Sequence, residues 1–161
     1  MNKPQSGFTL VELVVVILIL GILSATALPR FMNVSDQAVT AAVAGAGGGL
    51  GAGVALAHAQ WIANRSTGAV TAVANFGAGN VAVNASGWPT STTNATSLTT
   101  TDHCFEVWNG IMQNPPSAAA GATTEDYDIQ VSGNQCGFFY RTDNTRAIVY
   151  NSLNGAVNIS Q

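Results

Sequence analysis

Few side chains in this 161-residue chain have the chemistry for catalysis, metal binding or covalent bonding, and they are dispersed. His58 lies between Ala57 and Ala59, and His103 beside an acidic residue; neither has a nucleophile and an orienting group around it, so neither marks a hydrolytic site. Cys104 and Cys136 would be free thiols in a cytosolic chain and a disulfide in an exported one. A metal site built from His103, Cys104 and Cys136 is the rival reading, and the absence of Cys-x-x-Cys spacing argues against it. Glu125, Asp126 and Asp128 are close enough in sequence to share a cation, but they lack the ordered ligand spacing of a calcium loop and read as a solvated turn. Gly47-Gly48-Gly49-Leu50-Gly51-Ala52 fits a loose dinucleotide pattern without the preceding strand, the later acidic residue or a Walker lysine. Lys3, Arg30, Arg65, Arg141 and Arg146 are scattered and the net charge is −3, so no basic surface for nucleic acid is expected. No catalytic residue, cofactor or metal is expected either.

The remaining ionisable residue of interest is Glu12. It lies inside residues 8–28, an apolar stretch that only Thr9, Glu12, Ser24 and Thr26 interrupt. As a helix this stretch reaches ~31 Å, close to the ~30 Å thickness of a bilayer's hydrocarbon core. Lys3 flanks it on one side and Arg30 on the other. A carboxylate within such a span costs roughly 2.5–3.5 kcal/mol and needs a reason. The plain reason is snorkelling to the headgroups, since Glu12 is only four residues from Phe8. The alternative is a cation from outside the helix: cleavage between Gly7 and Phe8 would create an α-amino group that Glu12 of the same or a neighbouring subunit could pair with. An ordinary secretory signal, cleaved after the small-residue match Ala25-x-Ala27, is the competing reading of the same stretch.

The run Gly7-Phe8-Thr9-Leu10-Val11-Glu12-Leu13, behind a short leader and ahead of the apolar stretch, resembles the processing site of type IV pilins and pseudopilins. The resemblance implies cleavage after Gly7 by a prepilin peptidase and N-methylation of Phe8. It further implies an assembly role for Phe8 and Glu12, the carboxylate pairing with a neighbour's N-terminal amine. Gly21 and Pro29 stand where filament-forming pilins carry helix-weakening residues. The stretch 29–38 and the later cysteine pair are most similar to the MSHA (mannose-sensitive haemagglutinin) type of type IVa major pilin. Export of the globular part turns the cysteine expectation into a Cys104–Cys136 disulfide, which in this family bounds a displayed C-terminal loop.

The elements that position these residues follow from pattern. Pro29 removes a helical hydrogen bond and predicts a kink or melting there. Beyond it, Val39, Val43, Ala46, Leu50, Val54, Ala57 and Trp61 recur every three or four residues, one stripe of a helix reaching about Asn64. Gly45 to Gly53 weaken that helix by roughly 0.8–1 kcal/mol per glycine, either for close approach of another backbone or as a flexible break. Residues 69–74 and 81–85 read as a hairpin, and 87–101 as an exposed loop. Asp102 is placed to cap a helix over 103–113, which Pro115-Pro116 ends. Strands are expected at 127–131, 136–141, 146–150 and 156–159, the last after an Asn154-Gly155 turn. Five Asn-x-Ser/Thr sequons, at Asn33, Asn64, Asn84, Asn94 and Asn158, are what so Asn-, Ser- and Thr-rich a composition produces unaided.

The pattern is thus that of an α+β chain, and the resemblance implies the pilin fold, with a long N-terminal helix packed on an antiparallel sheet. On that reading residues 1–7 would be a leader, 8–29 a transmembrane and filament-core helix, and 30–161 a globular domain. It is expected to be a structural subunit and not an enzyme. Its partners would be the prepilin peptidase, the inner membrane before assembly, the pilus assembly machinery and further copies of itself in an extracellular filament. A type II secretion pseudopilin or minor pilin shares the processing site. A membrane-anchored binding domain is the alternative from another class, but it needs neither Glu12 nor a Gly7-Phe8 junction.

Overall fold

The computed structural model describes residues 7–161, so residues 1–6 of the expected leader 1–7 lie outside the described residues. Two compact units divide at Val39/Thr40. The first holds the apolar start of helix α1, Leu10–Ala63. Every large apolar side chain recorded between Leu10 and Leu28 is at least 46% exposed, as expected of a helix apolar on all sides with no sheet of its own. The backbone stays helical through Gly21 and Pro29.

The second unit, Thr40–Gln161, contains the rest of α1 and the remaining elements. Val43, Leu50, Val54 and Ala57 are buried, which realises the centre of the predicted stripe. The glycines in this stretch differ in purpose. A Cβ on Gly53 would sit 2.7 Å from the carbonyl oxygen of Ile111, and one on Gly47 2.6 Å from the Ile159 side chain. Close approach of another backbone is therefore the reason at Gly53 alone, Gly47 making room for a side chain, and the backbone of α1 remains helical across all of them.

Helix α2, Thr101–Ile111, starts two residues before the expected boundary and is capped by Thr100, whose hydroxyl accepts from the His103 amide. Asp102 lies within the first turn instead, where a carboxylate favours the positive end of the helix. Between the helices, β1 (Ala82–Val83) pairs antiparallel with β2 (Pro89–Ser91). This corrects the sequence reading twice. Residues 69–74 supply one bridge, Val70 to Val83, not a strand of a hairpin. Residues 89–91 are wholly buried and not an exposed loop. The hydroxyls of Thr90 and Ser91 both donate to the Ala95 carbonyl, so a polar run is buried without loss of hydrogen bonds.

The main sheet has the order β3-β4-β5-β6-β7. Strands β4 (Tyr127–Ser132), β5 (Gln135–Tyr140), β6 (Ala147–Asn151) and β7 (Val157–Ser160) are antiparallel neighbours, each within one residue of the expected bounds. The two-residue β3, Ala118–Ala119, adds a short parallel edge that the sequence did not announce. Tyr127, Ile129, Cys136, Phe138, Ile148 and Tyr150 line the buried face. Trp108 of α2 packs on Phe138 and Tyr127, with ring centroids at 4.3 and 5.3 Å. Its indole N–H donates to the Pro116 carbonyl at 2.9 Å, which satisfies the one polar group of a buried tryptophan.

Candidate processing and assembly site

At the start of α1 the chain forms a local structure that explains how a carboxylate is held there. Thr9 is the capping residue: its carbonyl accepts from Leu13 N–H at 3.3 Å and its hydroxyl oxygen from Glu12 N–H at 3.3 Å. Glu12 reaches back, and its Oε2 accepts from both the Thr9 amide and the Thr9 hydroxyl at 2.8 Å. This is a reciprocal capping box, Thr-x-x-Glu, that satisfies two otherwise orphaned donors of the helix start. The other oxygen, Oε1, takes no hydrogen bond among the described residues. Sequence reasoning does not single out Thr9, although Thr-x-x-Glu before an apolar run is the sequence signal of such a box.

Gly7 and Phe8 precede the helix in exposed, non-helical chain, with Phe8 91% exposed. A Cβ on Gly7 would meet nothing within 4 Å, so the local fold does not require glycine there. Gly21 is equally unobstructed.

Cys104 and Cys136 are joined in a disulfide that ties α2 to β5, with Cα atoms 5.5 Å apart. Closing a loop of this length contributes roughly 3–4 kcal/mol in the chain-entropy picture. The acidic residues near the β3–β4 connection serve backbone groups. Asp128 Oδ1 accepts from the amides of Gly121 and Ala122, Asp126 accepts from Ser117, and Glu125 from Thr123 and Thr124. The hydrogen bond from the Gln130 side chain, followed by those amides, holds the Asp128 carboxyl below the usual carboxylate range. No group of three or more metal-binding side chains occurs among the described residues. His58 is packed, its ring stacked 3.8 Å from that of Trp88 and its Nδ1 3.1 Å from the Gly87 carbonyl oxygen.

A model of the prokaryotic N-terminal methylation motif matches residues 2–28. The chain is 54% identical over 37 residues to the type II secretion system core protein G of Pseudomonas aeruginosa, covering 23% of this chain and 26% of that one. It is 62% identical over 32 residues to the type IV narrow pilus major component PilA5 of Thermus thermophilus, 20% of this chain and 28% of the relative. A fimbrial protein of Neisseria meningitidis is 41% identical over 73 residues, 44% of this chain and 43% of the relative. The chain thus spans less than half the length of these curated relatives. No solved structure matches it. The chain thus carries a methylation motif at its start and a long apolar helix followed by an antiparallel sheet, and over part of its length it is similar to type IV pilins and to a type II secretion system core protein.

Proposed function

We propose that the chain is the precursor of a type IV pilus subunit, a structural protein that polymerises through its N-terminal helix into a surface filament for adhesion or motility. The observation that carries this reading is the 19-residue helix Leu10–Leu28, none of it buried, capped by Thr9 and Glu12 directly after a Gly7-Phe8 junction. Such a helix is stable only when something outside the chain covers it: first the inner membrane, later other subunits. Prepilin peptidase cuts between Gly7 and Phe8, and Phe8 is N-methylated. The open space around Gly7 supports an enzymatic rather than a folding reason for that glycine. Gly21 and Pro29 let α1 yield where subunits pack, and stretch 29–38 with the disulfide favours the MSHA type. The secretion-system relative supports a second reading, a pseudopilin built by the same route.

Glu12 gives the assembly its directionality. In the membrane, headgroups and water solvate the carboxylate, and Thr9 steadies it through neutral donors. Inside a packed fibre water is excluded, and the charge is compensated only by a cation such as a neighbour's Phe8 amine. Sliding one helix past another then leaves an unpaired ion in an apolar core, which sets the stagger. Glu12→Val is expected to yield a cleaved, membrane-resident, folded subunit that builds no normal filaments. Electron microscopy beside mass measurement of the mature N-terminus checks this. Abundant Glu12→Val filaments with wild-type helical parameters, or surface protein that retains Met1, would overturn the reading.

A further inference from the structure

The Asn-x-Ser/Thr sequons are a sequence feature that the filament reading leaves unused. Composition explains why several occur, but not where the fold places them. Glycosylation of asparagine replaces a hydrogen of its side-chain amide and depends on the hydroxyl two residues later. Both groups must be reachable, and the fold must leave room for a sugar. Asn33 lies outside the described side chains. Asn64 holds the end of α1, its Nδ2 donating to the Ala74 carbonyl at 2.8 Å and its Oδ1 accepting from Gln60 at 2.9 Å. Asn84 is half-buried and its whole carboxamide is engaged: Nδ2 donates to the Ser152 carbonyl, and Oδ1 accepts from the Ser86 and Trp88 amides. Asn158 is exposed on β7, but the hydroxyl of its sequon, on Ser160, donates to the Thr145 carbonyl at 3.3 Å.

Asn94 is different. Among the described sequons it is the one whose carboxamide and hydroxyl, on Thr96, both make no hydrogen bond. Asn94 is exposed, and the residues around it are fixed inward. The Ala95 amide donates to Ser91 Oγ at 2.9 Å, and the Ala95 carbonyl accepts from the Thr90 and Ser91 hydroxyls at 2.6 and 3.0 Å. On the other side the Thr92 amide and Thr93 hydroxyl donate to the Glu106 carboxylate at 2.8 and 3.0 Å. The loop is thus tied down on both sides of Asn94, and the sequon's own polar groups are the part turned outward. Asn94 has φ +70°, a conformation that asparagine tolerates well, and Asn75 and Asn114 share it. That preference accounts for an asparagine at such a turn. It does not account for the hydroxyl at Thr96, which neither Asn75 nor Asn114 has two residues on.

We propose that Asn94 is the acceptor of an N-linked glycan, delivered outside the cytoplasm from a lipid-linked oligosaccharide diphosphate. The amide nitrogen attacks the anomeric carbon of the donor. The N–C bond forms as the bond from that carbon to the diphosphate oxygen breaks; the amide loses one proton and the polyprenyl diphosphate leaves. Thr96 is a positioning residue and carries no sugar. The glycan supplies hydration that a chain with only 8% charged residues lacks. The proposal rests on the export that the filament reading requires.

The test is tandem mass spectrometry of the protein from the cells that make it, wild type beside Asn94→Gln, Thr96→Ala, Thr96→Ser and Asn158→Gln. Expected is a sugar on the Asn94 amide, its occupancy cut at least about tenfold by Asn94→Gln and Thr96→Ala and kept by Thr96→Ser and Asn158→Gln. Thr96 bonds nothing in the fold, so Thr96→Ala should leave the melting temperature unchanged while the sugar is lost. A chain that begins at Phe8 and carries no sugar would overturn this proposal alone. Sugar on a hydroxyl or on another asparagine in place of Asn94, or sugar that persists in Asn94→Gln, overturns it equally. Retention of Met1 would overturn the filament reading, and the presence or absence of sugar in the same spectrum still decides this one.

Discussion

The first and second stretches of α1 are both long and apolar, yet they are apolar in different ways. Leu10–Leu28 has a mean hydropathy of 2.6 and none of it is buried; Val34–Ala63 has 1.5, and 28% of its most apolar window is buried. The first is covered with Leu, Ile and Val on every side, so no single sheet could bury it. The second alternates one stripe of Val, Leu and Ala with glycine and alanine, and the stripe has a sheet to lie on. Burial therefore follows the angular distribution of apolar side chains and not their number. An all-round apolar helix states a need for a solvent or partner beyond the chain.

That contrast can be broken by removing apolar side chains from each region in turn. Trp108→Ala in the second unit deletes the largest buried side chain and is expected to cost about 3–5 kcal/mol in denaturant unfolding of the detergent-solubilised subunit. A loss below about 1 kcal/mol would show that the α2–sheet core is not what holds this unit together. Thr9→Ala should cost about 1 kcal/mol, confined to the first turn of α1, because one half of a capping box disappears. Faster hydrogen exchange at the Leu10–Leu13 amides, with the second unit unaffected, is the measurement.

A smaller effect is expected from pH in the β3–β4 connection. Asp128 has its carboxyl held below its ordinary value of 3.8, chiefly by Gln130. A depressed folded value contributes stability above the unfolded one and loses it as pH falls through the folded one. The Gly121 and Ala122 amide resonances should therefore move together below about pH 4, as carboxylates protonate there. Asp128→Asn should abolish the transition. The smallest effect sharpens the comparison from the other side. Ile17→Ala removes as much apolar surface as many core substitutions, but should change subunit unfolding by less than about 0.5 kcal/mol, because its site is exposed. A larger change would mean that Leu10–Leu28 is covered within the chain.

Legibility varied with the kind of signal. Strands β4 to β7 are readable to within a residue, since Tyr127 and Ile129 alternate with Asp128 and Gln130, residues 136–141 are rich in aromatic residues, and Asn154-Gly155 marks a turn that Gly155 makes at φ +73°. Residues 89–91 are not. Pro, Thr and Ser signal solvent by composition, and only the tertiary fold offers the carbonyls of Ala82 and Ala95 that make their burial affordable. The cap of α2 moved to Thr100 because three threonines precede Asp102 and any of them can cap. Thr9 is visible in the Thr-x-x-Glu capping pattern, which gives Glu12 a local partner in addition to any cation from outside the helix.

From sequence alone came the periodicities and the chemistry of the N-terminus: the processing motif, the apolar span with its one carboxylate, the α+β order and the cysteine pair once export was accepted. These are local properties, written in consecutive residues and their spacing. Tertiary structure decided what depends on distant neighbours. It shows that Gly53, among the glycines of 45–53, faces another backbone while Gly47 faces a side chain, and where buried hydroxyls find acceptors. Spacing along a chain encodes the face a residue occupies, but what meets that face is set by parts of the chain sixty or a hundred residues away.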